Sequence, residues 1–201
     1  MTTVMHVPAN SGWVEVVVGC MFSGKTEELV RRLRRVPYAK QTMVSFKPKI
    51  DSRYHKTHIQ SHGGISIEAI PVESPEDILK LAGDAQVVGI DEAQFFDGTL
   101  VDVVQKLARD GRRVIVAGLD LDYRGVPFGP IPHIMAVAEY VTKVHAICTV
   151  CGAPASRSQR VTDSDNQVLV GGATAYEARC RKHWSPQPTF SESGHMDMLE
   201  D

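Results

Sequence analysis

Gly19, Cys20, Met21, Phe22, Ser23, Gly24, Lys25 and Thr26 spell G-x-x-x-x-G-K-T, a spacing that builds a phosphate cradle. The glycines let backbone N–H groups close around phosphate oxygens, and a helix starting at Lys25 adds the partial positive charge of its N-terminus. The Lys25 ammonium then reaches the β- and γ-phosphates of a nucleotide such as ATP, and the Thr26 hydroxyl holds Mg2+. Such a cradle needs an acidic partner at the end of a neighbouring strand. The stretch "VVGIDEAQFF" offers Asp91 for the metal. Glu92 follows it into the same crevice, where a carboxylate can take a proton from an attacking oxygen. The plain alternative for Glu92 is a solvated acid at a strand end.

A second cluster is metallic in type. Cys148-x-x-Cys151 and Cys180-x-x-His183 are two pairs of equal spacing, roughly thirty residues apart. Three thiolates and one imidazole fill a tetrahedral Zn2+ site and leave no open position, so the role expected is structural. That separation is long for a ribbon, which predicts both pairs at the open ends of a hairpin. The alternative is four residues with unrelated roles. Cys20, the remaining cysteine, reads as a small packed residue of the loop, although a helix N-terminus beside it would lower its pKa.

The elements that must position these groups follow from periodicity. Residues 14–18 form an apolar, β-branched run apart from Glu15, a buried parallel strand. The cradle is a tight turn and 25–36 a helix. Residues 42–46, 65–70, 86–90 and 113–119 read as further strands. Residues 75–81 read as a helix with Ser74 as its cap and Pro75 in its first turn. Residues 98–111 form an amphipathic helix stopping at Gly111. Strands alternating with helices predict an α/β fold of the P-loop (RecA-like) kind, a mostly parallel sheet with helices on both faces. Past residue 145, "ICTVCGAPASRSQRV" and "NQVLVGG" read as short strands about a polar turn. The expected division is a nucleotide-binding domain over 1–145, a small zinc-binding β/lasso lobe over 146–190 and a disordered tail over 191–201.

A chain of 201 residues can bury a core without disulfides. Its net charge of −2 argues against a polyanion-binding protein. No apolar run reaches membrane-spanning length and no secretory signal is visible, so a cytoplasmic protein without membrane or nucleic-acid partners is expected. The basic run "RRLRR" (31–35) reads as a solvated helix face or subunit contact. "DEAQ" is also a helicase box, but such motors need two sheet domains. "DYRG" (122–125) has the D-x-x-G form of GTPases, yet no N-K-x-D guanine reader accompanies it. A small kinase leads, a stand-alone ATPase rivals it, and a zinc-ribbon nucleic-acid module comes third.

The ordered set "GCMFSGKT", "DSRY", "IDEAQFF", "GLDLDYRGVPFG", CxxC and "GGATAYEARCRKH" resembles the small, zinc-containing (type II) thymidine kinases over residues 12–184. The resemblance implies γ-phosphoryl transfer from ATP to the 5′-hydroxyl of thymidine, a homotetramer and feedback inhibition by dTTP. It implies that Glu92 is the general base and that Lys25, Thr26 and Asp91 hold ATP–Mg2+. It puts Arg53 on phosphate, with Asp51 near the phosphate and metal region. Met21, Phe95, Leu119, Phe128 and Tyr176 match the pocket around thymine and deoxyribose. Backbone groups of a lasso-like loop, here including Gln167, Leu169 and Gly171 with Ser158 on the preceding strand, would read the base. A mobile loop over 47–64 would bring Arg53 in on substrate binding. His183 stands where other members have a cysteine, a change of zinc ligand rather than of site.

Overall fold

A computed structural model describes residues 11–49, 58–60, 66–162 and 175–186. Its centre is a sheet whose strands are all parallel: β1 (Trp13–Val18), β2 (Met43–Pro48), β5 (Ile70–Val72), β6 (Val87–Ile90), β7 (Arg113–Gly118) and β8 (Tyr140–Lys143), in the order β5-β2-β6-β7-β1-β8. Strands buried on both faces read as continuous apolar runs. In β1, Val14, Val16 and Val18 pack into a cluster with α3 (Leu100–Arg109) and α4 (Ile131–Val137), where Ile78 of α2 (Pro75–Leu81) also lies. Val17 faces the opposite layer, which holds Leu29, Val30 and Leu33 of α1 (Lys25–Leu33). Gly89 of β6 lets α1 sit close, since a Cβ there would come within 2.7 Å of Leu33. Glu15 shares the Val17 side and is buried against Arg32 of α1.

Several expectations change in detail. The helix after the cradle ends at Leu33 rather than at 36, because the Arg35 and Val36 N–H groups turn to the Arg32 and Leu33 carbonyls, three residues back, and Pro37 has no N–H to carry the helix on. Ser74 has extended backbone at the start of α2 but makes no side-chain capping bond. The run 65–70 is two strands in two sheets. β4 (Ser66–Glu68) pairs antiparallel with β3 (His58–Gln60), and after Ala69 the chain enters the main sheet as β5. The segment expected to be one mobile loop therefore contributes β3 to a hairpin, where Lys47 Nζ donates to the His58 carbonyl at 3.0 Å. α4 and β8 carry no clear periodic signal in the sequence.

Beyond β8 lie two short antiparallel pairs, β9 (Ala146–Ile147) with β10 (Pro154–Ala155) and β11 (Arg157–Arg160) with β12 (Tyr176–Arg179). The expected strand in "NQVLVGG" and the tail over 191–201 lie outside the described residues. Among the described residues, no helix is long and apolar enough to cross a membrane.

Candidate active site and metal centre

Strand order decides where the chemistry gathers. β7 separates β1 from β6, so the cradle after β1 and the acids after β6 meet across the end of β7. That end is slim, Ala117 and Gly118. Across it Thr26 Oγ1 donates to Asp91 Oδ2 at 3.2 Å, with Asp91 only 6% exposed. A hydroxyl and a carboxylate joined in this way are hard oxygen donors of the kind Mg2+ takes, so the residues fit the ion. Lys25 Nζ donates to the Cys20 carbonyl at 2.9 Å, and Ser23 Oγ donates to the same oxygen at 2.7 Å. The turn depends on Gly24 at φ 84°, and a Cβ on Gly19 would lie 2.3 Å from the Val144 carbonyl. Phe22 also has positive φ, 64°.

Glu92 adopts left-handed backbone, φ 49° and ψ 37°, a conformation that costs a residue with a side chain and concentrates at working sites. Its N–H donates to Asp91 Oδ1 at 2.9 Å, and its Oε2 accepts from Gln94 Nε2 at 2.5 Å. Gln94 Oε1 accepts the Leu119 N–H at 3.0 Å.

The residues expected around the nucleoside fall into two groups here. Phe95 and Phe128 meet edge to face, ring centroids 5.9 Å apart, and the Phe128 N–H donates to the Asp120 carbonyl. Met21 packs with Phe22, Tyr123, Ala175 and Tyr176. Ser158 Oγ accepts the Met21 N–H at 3.0 Å, tying β11 to the cradle. Arg53, Asp51, Gln167, Leu169 and Gly171 lie outside the described residues.

Cys20 is packed, as expected, and its Sγ donates to the Ala155 carbonyl at 3.3 Å. Its pKa moves opposite to the expectation. Burial pushes the thiol up, and the Ala146 backbone and the Lys25 charge do not offset it.

The Cys/His cluster closes on itself. Cys148, Cys151, Cys180 and His183 offer ligand atoms all within 4.8 Å of one another. Cys151 and Cys180 sulfurs are 3.8 Å apart, and His183 Nδ1 is 3.8 Å from Cys148 and 3.4 Å from Cys180. A tetrahedron around zinc with bonds of about 2.3 Å has edges near 3.8 Å, so the donors fit the ion. Burial opposes the Cys148 thiolate, yet backbone N–H groups of Cys180, Val150 and Cys151 and the His183 ring bring its pKa down to about 5. The placement overturns half of the hairpin expectation. Cys180 does follow β12 at the open end of the β11–β12 pair, but Cys148 and Cys151 occupy the closed tip between β9 and β10. The Thr149 N–H donates to the Ala178 carbonyl at 3.1 Å and joins the two.

Residues without a sequence signal complete the neighbourhood. Arg160, fully buried, places its guanidinium 3.7 Å from the Tyr123 ring centroid and donates to Tyr176 Oη at 2.6 Å. Trp184, next to His183, donates to the Tyr123 carbonyl at 3.2 Å. Lys143 pairs with buried Asp120 at 2.6 Å. The "DYRG" turn is explained locally, since Asp122 Oδ1 accepts the N–H groups of Arg124 and Val126 at 2.9 and 3.0 Å. "RRLRR" is divided: Arg32 is drawn inward to Glu15, while Arg31 pairs with Glu28 at the surface.

The family model for thymidine kinase matches residues 12–184. A thymidine kinase of Rhodothermus sp. (strain ITI 518) is 60% identical over 183 residues, 90% of this chain and 86% of its own length. One of Coprothermobacter proteolyticus is 55% identical over 185 residues, 89% of this chain and 93% of its own. Among solved structures, the Legionella pneumophila ATPase DotB overlays 64% of this chain and 34% of its own at a TM-score of 0.38 and 10% identity, a likeness too loose to argue from.

Proposed function

The chain belongs to the thymidine kinase family, and from that premise we propose how its residues divide the work of phosphorylating thymidine. ATP lies with its phosphates in the 19–26 cradle. Lys25 exchanges the Cys20 carbonyl for the β- and γ-phosphates, and Thr26 and Asp91 hold Mg2+. The ion, when bound, neutralises charge on the phosphates. Glu92 accepts the proton of the thymidine 5′-hydroxyl as that oxygen bonds to the γ-phosphorus. The bond from the γ-phosphorus to the β-bridging oxygen breaks, and ADP leaves. Met21, Phe95, Leu119, Phe128 and Tyr176 enclose the nucleoside, with Ser158 behind the cradle and Gln167, Leu169 and Gly171 reading the base edge. Arg53 joins the phosphates on closure. Residues 146–190 serve as the zinc-clamped lobe that carries the base-enclosing loop. The likeness to type II enzymes is what supports a cytoplasmic homotetramer inhibited by dTTP.

One observation carries this reading: strained Glu92 sits directly beside the Asp91 carboxylate that meets Thr26. Enzyme with ATP–Mg2+ is assayed for phosphate release and for dTMP, with and without thymidine. Stoichiometric dTMP, little hydrolysis without thymidine, and a Glu92→Gln variant that binds ATP but does not turn over are expected. ATP hydrolysis indifferent to thymidine refutes the reading.

A further inference from the structure

Gln94 lies in the short helical turn Ala93–Phe95 and is only 2% exposed. Both ends of its amide are engaged, Nε2 to Glu92 Oε2 at 2.5 Å and Oε1 to the Leu119 N–H at 3.0 Å. A backbone N–H can only donate, so Leu119 fixes which way the amide points. The NH2 group must then face the Glu92 carboxylate. The surroundings leave little room for another arrangement. A Cβ on Gly118 would come 2.9 Å from Gln94 Oε1, and one on Gly129 would come 2.3 Å from the Gln94 carbonyl. Gly118 thus lets β7 approach the amide itself, and Gly129 lets its turn close on the Gln94 backbone. The amide links the end of β6, which carries Glu92, to the residue after β7, which carries Leu119.

We propose that Gln94 is a positioning residue for phosphoryl transfer, whose amide aims the Glu92 carboxylate at the nucleoside 5′-hydroxyl and ties that aim to the pocket wall at Leu119. The inference rests on the reading of Glu92 as general base. A general base contributes about 10²–10⁴-fold, and only within hydrogen-bond reach of its proton. Misplacement by about 1 Å is enough to lose about 10²-fold. An exposed glutamate in left-handed backbone would sample several rotamers. One tethered through a buried amide presents the same oxygens each time thymidine arrives.

Three variants separate the claims: Glu92→Gln, Gln94→Glu and Gln94→Met. Each is measured for kcat and KM of thymidine across pH 6–9.5, for ATP binding, and for thermal midpoint. Wild-type turnover in Glu92→Gln overturns the base reading itself. With that variant inactive, Gln94→Glu decides the inference. It preserves volume and an acceptor for the Leu119 N–H but sets a carboxylate against Glu92. Facing carboxylates share a proton, so kcat at pH 7 falls about tenfold or more and its rise with pH moves up by about 1 unit or more. Gln94→Met removes both bonds and lowers kcat about 100-fold, with ATP affinity retained. A wild-type kcat and pH profile in Gln94→Glu would overturn the proposal. So would losses in both variants that track weakened ATP binding or a lowered folded fraction instead of kcat.

Discussion

Glu15 is fully buried inside β1, and its carboxylate gathers Arg32 Nη1 at 2.7 Å, Arg113 Nε at 2.6 Å and Trp13 Nε1 at 2.8 Å. Glu15→Ala strands two guanidinium groups whose side chains are 11% and 20% exposed. Removing one partner of a buried pair costs about 3–5 kcal/mol. Arg32 keeps Glu28 and Thr142, and Arg113 keeps its stack over Trp13, which points to the lower end, about 3 kcal/mol. At about 2–4 °C per kcal/mol for a chain of this size, the thermal midpoint drops by roughly 6–12 °C. Thermal melts followed by circular dichroism measure that shift, and urea melts measure the free-energy loss itself. The pH dependence provides a second reading. Burial alone would raise the Glu15 pKa, but the Arg113 hydrogen bond and charge, then Trp13 and Arg32, hold it below the usual carboxylate range. A carboxyl lowered on folding contributes stability that is full above its unfolded value, about 4.3, and is lost as pH falls through the folded value. The gap between wild type and Glu15→Ala therefore narrows below about pH 4. A pH-independent gap, or a cost below about 1 kcal/mol at pH 7, would refute the reasoning that the two arginines depend on this carboxylate.

Stripping metal from the Cys/His cluster with a chelator is expected to raise KM for thymidine while ATP binding persists, because metal binding and the order of the lobe are coupled. Its path is His183 to Trp184 to the Tyr123 carbonyl, so tryptophan fluorescence should change together with KM, and a KM indifferent to chelation would sink it. Deoxyuridine is expected as a weaker substrate, since one methyl in an apolar pocket is worth about 1–3 kcal/mol. Competition kinetics test this, and deoxycytidine used as well as thymidine would contradict it, because an exocyclic amine replaces an acceptor with a donor.

What could be read before the fold was known was whatever local spacing dictates. The cradle, Thr26 and Asp91 were legible because a strand, a turn and a helix N-terminus are encoded by contiguous residues. Long apolar strands such as β7 declared themselves for the same reason. The exchange of sheets at Ala69 was not legible, since "ISIEAI" alternates well enough for one strand and its two partners lie elsewhere in the chain. α4 escaped because it is short and contains Pro132. β8 escaped because it is a polar edge strand with alternate residues exposed. Within the site, no role could be read for Gln94, Tyr123 or Arg160, although the first two stand inside recognisable motifs. Gln94 takes its significance from a residue 25 positions away, and Arg160 from one 16 positions away. Glu15 looked like an interruption of its strand until Arg32 and Arg113 converged on it.

The parallel sheet also bears on how the chain is made. β1 carries the cradle at its end, yet its two neighbours begin only at Arg113 and Tyr140. On a ribosome adding about 5–20 residues per second, β1 waits roughly 5–20 seconds for its first edge to be covered. During that interval its valines have no sheet to enter, and the strand is a template for wrong pairing. Messages truncated before β7 should therefore yield aggregating fragments that contain the whole cradle sequence and still bind no nucleotide. The cradle sequence is synthesised well before the strands that flank β1 and hold it in place.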